Sequence, residues 1–322
     1  MTDVPLIDIS ALAQGDGREK QAVVAALDAA CRDIGFVVVA GHGIPAATIA
    51  NIREAVIDYF ERPLERKLAD SISSDNYRGY IPLGFFTPNA AGDADCYEGY
   101  KLHRETDAAD PICAECSLYG PNKWPAEPAG FRGSVLAYWQ ECDRVAGLLL
   151  AALAESLALG RNSFLQAFEK PLTNMTLLHY PPQAPDQDGF GIHPHKDTDA
   201  LTILAPDPVG GLQVRRKGSD RWVSVDAPVD ALIVNIGDLL EVWSGGRFMS
   251  TPHRVINTSG RERYSFPYFA VPRFDVRVSP LLAPEPGFDR GEIPVGEVSR
   301  AIWYSNWPDA VPIDARYDPC LL

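Results

Sequence analysis

Apolar residues follow helical spacing over residues 18–33, where Val23, Val24, Leu27, Ala30 and Cys31 fall on one face. Before it, Val4 to Ile9 reads as a short first strand. After it, Phe36-Val37-Val38-Val39 is unbroken, β-branched and bounded by glycines, which predicts a buried strand running into a turn at Gly41-His42-Gly43. His42, set between two glycines at that strand end, is expected to make hydrogen bonds within the turn. A second helix is predicted over residues 46–61, interrupted near Pro63. The strongest pattern covers 130–159: Val135, Leu136, Trp139, Cys142, Val145, Ala146 and Leu149 form a stripe, and beyond Leu148 the helix is apolar nearly all round. A helix of that kind is buried. Gly160 is placed to end it, and Asn162 to open a short successor.

From Thr173 the texture changes to short strands separated by turn signals. Segments 175–180, 200–204, 212–215, 222–225, 231–235, 239–243, 253–257 and 264–270 give about eight, the count and spacing of an antiparallel sandwich or jelly roll. Residues 181–189 are the only linker-like stretch. The expected architecture is mainly β with flanking helices. Its expected divisions are an N-terminal region of strands and helices (1–125), a long buried helix and connector (126–170), a β core (171–275) and a C-terminal segment (276–322) closing over the active site.

Composition narrows the function classes. At 322 residues and 46% hydrophobic, the chain can bury a large core. Its net charge of -14 disfavours a nucleic-acid backbone or an anionic membrane as partner. Arg215-Arg216-Lys217 reads as a solvated hairpin end. No apolar run approaches the ~18 residues of a membrane span, and the N-terminus lacks a basic segment followed by an apolar one. A cytoplasmic location is therefore expected. Six cysteines are spread widely, and Cys113-Ala114-Glu115-Cys116 has no second C-x-x-C to complete a zinc ribbon, so free thiols are expected.

The candidate chemistry lies in Phe190-Gly191-Ile192-His193-Pro194-His195-Lys196-Asp197. On a strand, residues two apart face the same way, so His195 and Asp197 would present an imidazole and a carboxylate together. With one more histidine, such a pair suits Fe(II) with open coordination positions. His253, in Thr251-Pro252-His253-Arg254-Val255, is the best distant candidate. His193 competes with His195, but an H-x-H pair leaves no carboxylate in register; His193 is expected either to line the substrate entrance or to serve a structural role. Asp199 is expected to support the ligands by hydrogen bonding. Further on, Arg263 and Ser265 alternate onto one face, and an arginine fork binds carboxylate in bidentate fashion.

In that order, H-x-D, a distant His and R-x-S resemble the iron(II)/2-oxoglutarate-dependent dioxygenases of the isopenicillin N synthase-like group. The likeness extends through the Gly35-Phe36 strand leading to His42-Gly43-Ile44, the Arg78-Gly79-Tyr80 and Asp95-to-Glu98 segments, and the Gly120-Pro121-Asn122-Lys123-Trp124-Pro125 loop. The resemblance implies a double-stranded β-helix core. It implies metal and catalytic ligands at His195, Asp197 and His253, and 2-oxoglutarate held by Arg263, Ser265 and Tyr180. Tyr180 stands in the family's N-x-Y-P-P element, whose Asn position here is Leu178. Fe(II), 2-oxoglutarate, O2 and ascorbate as a reductant are the implied cofactors. The implied reaction is hydroxylation, desaturation or cyclisation of a small molecule, with release of succinate and CO2. The resemblance places Arg78, Tyr80, Glu98 and Tyr100, read as loop residues, around the pocket mouth with His193; Arg78 and Glu98 there either suit a substrate carrying both charges, such as an amino acid derivative, or pair with each other on the surface. A 2-oxoglutarate-independent oxidase of isopenicillin N synthase type and a non-catalytic metal-binding or sensing protein are the alternatives.

Overall fold

The computed structural model describes residues 4–14, 17–85, 94–183, 189–216, 218–257, 259–305, 307, 314 and 316–318. In chain order the first part contains β1 (Leu6–Asp8), α1 (Ser10–Gln14), α2 (Arg18–Asp33), β2 (Phe36–Ala40), α3 (Ala46–Phe60), α4 (Leu64–Leu68), β3 (Gly79–Ile81), β4 (Glu98–His103), α5 (Ile112–Glu115) and α6 (Phe131–Ser156). A short 3-10 turn at Leu165–Phe168 follows, then β5 (Asn174–Tyr180), β6 (Ile192–His195), β7 (Leu201–Leu204), β8 (Leu212–Arg215), β9 (Trp222–Ser224) and β10 (Leu232–Ile236). The last part holds α7 (Asp238–Trp243), β11 (His253–Val255), β12 (Arg263–Ser265), β13 (Tyr268–Ala270), β14 (Arg277–Val278), β15 (Ile293–Pro294) and α8 (Val295–Tyr304).

Two sheets face each other in a jelly-roll core. The larger runs β1-β2-β10-β7-β13-β5-β4-β3, with β12 also paired to β5, and the smaller runs β6-β11-β8-β9. Period-2 alternation divides each strand of the larger sheet between two cores. Val37 and Val39 of β2, Val234 of β10 and Leu177 of β5 pack outward with α2, α3 and α6. Phe36, Val38, Ile233, Leu178 and Tyr180 point inward to Leu212, Val214 and Val255 of the smaller sheet. Because both faces of β2 are covered, its sequence is an apolar run without alternation. His42 makes the expected turn bond, Nδ1 accepting from the Ile44 amide at 3.1 Å, and its Nε2 also donates out of the turn to the Asp230 carbonyl at 2.9 Å.

Several elements differ from expectation. Segment 239–243 lies in the helix α7, because five residues are too few for periodicity to distinguish strand from helix. Its first amides are engaged by the neighbouring loop: Asp238 N–H donates to the Asp197 carbonyl and Leu239 N–H to that of Asp199, both at 2.9 Å. Segment 264–270 divides into β12 and β13 at Pro267, which has no amide to continue the ladder. Helix α6 stops before Gly160: Ala158 takes φ 58°, and Leu159 N–H closes back on the Ala154 carbonyl at 2.9 Å. The successor at Asn162 is only a 3-10 turn. Among the described residues, no helix is long and apolar enough to cross a membrane.

The largest revision concerns Tyr80, Glu98 and Tyr100, which lie on β3 and β4 rather than in loops. They share the outward face. Tyr100 packs on Tyr59 and Phe131, with ring centroids 4.8 and 5.5 Å apart. Glu98 is the hub of a buried polar cluster, accepting from Lys67 Nζ at 2.7 Å, Tyr80 Oη at 2.5 Å and His179 Nδ1 at 2.7 Å. His179 Nε2 reaches Glu262 at 2.6 Å. Burial opposes its charge, but the two carboxylates raise its pKa above the ordinary 6.5. Its contribution to stability is therefore complete below about 6.5 and fades as pH rises through the folded value. Replacing Glu98 with alanine is expected to destabilise the fold by about 3–5 kcal/mol, since it strands the Lys67 ammonium. Urea unfolding measures this, and an unchanged midpoint would show that Lys67 finds water or another acceptor.

Candidate active site

Strands β6 and β11 pair antiparallel with His195 directly opposite His253, and the register shifts between His253 and Val255. The two rings lie 4.3 Å apart. Each Nδ1 donates to a backbone carbonyl, His195 to His193 at 2.8 Å and His253 to Thr251 at 3.2 Å. That fixes the tautomer and turns both Nε2 lone pairs inward. Burial and the neighbouring His253 push the His195 pKa down, which favours a neutral imidazole.

Asp197 reaches the same point from the loop, because β6 ends at His195; strand alternation is not what aligns the pair. Its Oδ1 lies 3.8 Å from His195 Nε2 and 3.7 Å from His253 Nε2, and the three donor atoms fall within 4.8 Å of one another. Its Oδ2 accepts from Thr202 Oγ1 at 2.6 Å and Asn235 Nδ2 at 2.8 Å. Burial works against the charge on Asp197, but His253, His195, Thr202 and Asn235 outweigh it and hold the pKa low. Thr202 Oγ1 also meets Asp199 Oδ2 at 2.8 Å. A hydroxyl has one hydrogen, and burial beside Asp197 raises Asp199 far above the usual carboxylate range. Asp199 therefore donates to Thr202, which donates to Asp197. Two imidazoles and one supported carboxylate, gathered on one side, form a donor set that fits Fe(II).

Arg263 and Ser265 on β12 pair with Tyr180 and Leu178 on β5, and both side chains are buried. Arg263 Nε donates to the Gly210 carbonyl at 2.6 Å, and its guanidinium lies 4.5 Å over the Tyr180 ring. Its Nη1 is buried with no partner among the described residues. A guanidinium in that state calls for an anion, and the far carboxylate of 2-oxoglutarate fits it. Leu178, opposite Ser265, joins the apolar interior and offers no polar group there.

The other expected site residues are placed differently. His193 shares β6 with His195, but its Nδ1 and backbone amide are held by Asp95 Oδ1 at 2.6 and 2.9 Å. Arg78 is buried, donates to the Leu118 carbonyl at 2.6 Å and lies 5.6 Å from the Trp303 ring. Tyr80, Glu98 and Tyr100 face away from the barrel interior. The opposite parity of β4 instead carries Lys101 and His103 inward. Cross-strand pairing aligns Phe36, Asn235, Thr202, Phe269, Asn174 and His103 in one row on the inner face. The metal cluster lies on that row, since Asn235 and Thr202 bond Asp197 and Phe36 packs 5.5 Å from His253. Alternation in Gly99-Tyr100-Lys101-Leu102-His103 could have marked this polar face.

The comparisons with known proteins agree with this geometry. Residues 172–272 match the model of the 2OG-Fe(II) oxygenase superfamily, and residues 4–127 that of the non-haem dioxygenase in morphine synthesis N-terminal region. The chain is 34% identical over 276 residues to the 2-oxoglutarate-Fe(II) type oxidoreductase hxnY of Emericella nidulans, covering 83% of this chain and 79% of that protein. It is 34% identical over 268 residues to the 2-oxoglutarate-dependent dioxygenase thnC of Trichoderma harzianum, covering 81% and 82%. A crystal structure of JOX2 with 2OG, Fe and JA superposes with a TM-score of 0.77 at 28% identity, covering 92% of this chain and 83% of that one. A full-length Neurospora crassa protein in complex with alpha-KG and thymine shares the fold, with a TM-score of 0.82 at 23% identity over 94% and 97% of the two chains.

Proposed function

This chain belongs to the 2OG-Fe(II) oxygenase superfamily, and on that premise we propose that His195, Asp197 and His253 hold its iron while Arg263, Ser265 and Tyr180 hold its 2-oxoglutarate. The protein is a 2-oxoglutarate-dependent oxygenase acting on a small molecule. With O2, the bound Fe(II) and 2-oxoglutarate supply oxidative decarboxylation to succinate and CO2 and the oxidation of a substrate C–H bond. The chain positions and shields that chemistry. His195 and His253, each held at Nδ1 by a backbone carbonyl, would offer Nε2 to the iron, and Thr202 and Asn235 hold one Asp197 oxygen so that the other would be free for it. The Arg263 fork orients the co-substrate from the far end, and the apolar walls at Phe36, Leu178 and Val255 exclude water.

The single observation that carries the 2-oxoglutarate assignment is the buried, unpartnered Arg263 Nη1. Among the described residues no carboxylate pairs with this guanidinium. Anaerobic addition of 2-oxoglutarate to the Fe(II) protein should produce a visible metal-to-ligand band, and turnover should form succinate. Substrate-dependent oxygen uptake with neither band nor succinate would support the oxidase alternative instead.

For the substrate, JOX2 carries JA and the Neurospora crassa protein carries thymine in their crystal structures, and a small organic molecule is the reading here. A zwitterionic amino acid derivative bridging Arg78 and Glu98 is not supported, because Glu98 is engaged by Lys67 and His179 on the opposite face. Segment 276–322 contributes to closing the site through α8, whose Trp303 stacks on His103. Free thiols at Cys31, Cys96, Cys113, Cys116 and Cys142 support a reducing, cytoplasmic setting; Cys320 lies outside the described residues.

A further inference from the structure

We propose that Lys101 anchors the carboxylate of a planar ring acid, an aromatic or heteroaromatic carboxylic acid, whose ring lies among His103, Trp303, Tyr77 and Phe269. This deepens the oxygenase reading and rests on it.

Position comes first. Along the inner face of β5, Tyr180, Leu178, Thr176 and Asn174 succeed one another at roughly 7 Å per step. Tyr180 stands beside Arg263, at the co-substrate end. Thr176 pairs with Lys101 and Asn174 with His103. Lys101 is therefore two steps from the co-substrate anchor, beside the row that carries the metal cluster. Arg263 on β12 and Lys101 on β4 flank β5 on the same inner face, two steps apart along it, so the two carboxylates have separate cations.

The chemistry of Lys101 points to an anion. Its ammonium donates to Asn174 Oδ1 at 2.7 Å and Thr176 Oγ1 at 2.9 Å, both neutral acceptors. Among the described residues no carboxylate pairs with it. An ammonium has three donors, so one remains for a ligand. The Phe269 and Tyr77 rings lie 5.4 and 5.8 Å from Nζ. Burial among them pulls its pKa down to about 7, with the distant Asp197 charge opposing that shift. A half-buried cation flanked by neutral groups is the arrangement that a carboxylate completes.

The neighbouring groups describe the rest of the ligand. His103 stacks on Trp303 with centroids 5.1 Å apart and an interplanar angle of 21°, and Tyr77 lies 5.1 Å from Trp303. Those flat surfaces, with Phe269 beyond Lys101, suit a planar ring. Burial and the nearby Arg78 and Lys101 charges keep His103 neutral. The Tyr77 backbone engages the ring, and Nε2 is buried with no partner among the described residues. That orphan acceptor matches a hydroxyl or ring N–H on the ligand.

The test uses the anaerobic Fe(II)–2-oxoglutarate protein, titrated with benzoate, 4-hydroxybenzoate, indole-3-carboxylate and nicotinate, each beside its carboxamide. Calorimetry and the shift of the visible band report binding. At least one ring acid should bind roughly tenfold or more tightly than its amide, as the loss of a charge-assisted bond implies. Lys101→Met should erase that preference while leaving 2-oxoglutarate affinity unchanged, which also shows that the variant is folded; Lys101→Arg should retain part of it. Equal binding of acids and amides, no acid bound at millimolar concentration, or full preference in Lys101→Met would overturn the assignment. Absence of the 2-oxoglutarate band from the unmodified protein would remove the cofactor reading, and this assignment with it.

Discussion

Replacing His253 with alanine should remove measurable turnover and most Fe(II) affinity while leaving the protein folded. The imidazole is one of two beside Asp197, and its Nε2 lies 3.7 Å from that carboxylate. Loss of a group that merely supports a ligand lowers metal affinity or activity by about 10–100-fold, so loss of a ligand should exceed that, leaving activity below about 1%. Truncation leaves a cavity beside Phe36, which packs against the ring from 5.5 Å, and a modest fall in melting temperature should accompany it. Anaerobic Fe(II) titration separates the two effects, because a cavity alone would not abolish binding. His195→Ala should behave alike. His193→Ala should not, since His193 is held by Asp95; full activity in His195→Ala together with loss in His193→Ala would reverse the ligand choice.

The second large effect concerns Arg263→Ala, expected to weaken 2-oxoglutarate binding by roughly tenfold to several hundredfold. Charge-assisted hydrogen bonds contribute about 1.5–3 kcal/mol each, and the guanidinium is the buried cation that the co-substrate would meet. Arg263→Lys should recover only part, because a point charge does not reproduce the fork. Titration of the visible band measures both variants. A purely structural role, through the bond to the Gly210 carbonyl and the Tyr180 stack, would lower the melting temperature and leave 2-oxoglutarate affinity unchanged.

Much of the architecture was legible before any coordinates, for identifiable reasons. The helix at 18–33 and the buried strand after Gly35 are long or strongly patterned enough for periodicity to identify them. Short segments are not: 239–243 lies in a helix whose first amides, Asp238 and Leu239, find the carbonyls of Asp197 and Asp199. Sequence order and residue chemistry were sufficient to nominate His195, Asp197, His253, Arg263 and Ser265, since few residue types ligate iron or fork onto a carboxylate.

What alternation in the sequence could not supply was the facing of β4. Alternation states that Glu98 and Tyr100 share one face and Lys101 and His103 the other, but not which face is inside. That was decided by β5, whose Thr176 and Asn174 lie opposite Lys101 and His103. It was decided equally by Tyr59 and Phe131, which receive Tyr100 on the outer side. Trp303 stacks on His103 only because α8 folds back over it. The sequence by itself determined which chemistry the chain can carry, because ligand identity is a property of single side chains. Only the tertiary structure decided which polar residues accompany that chemistry inside the barrel, because a one-residue change of register exchanges every inward side chain for an outward one.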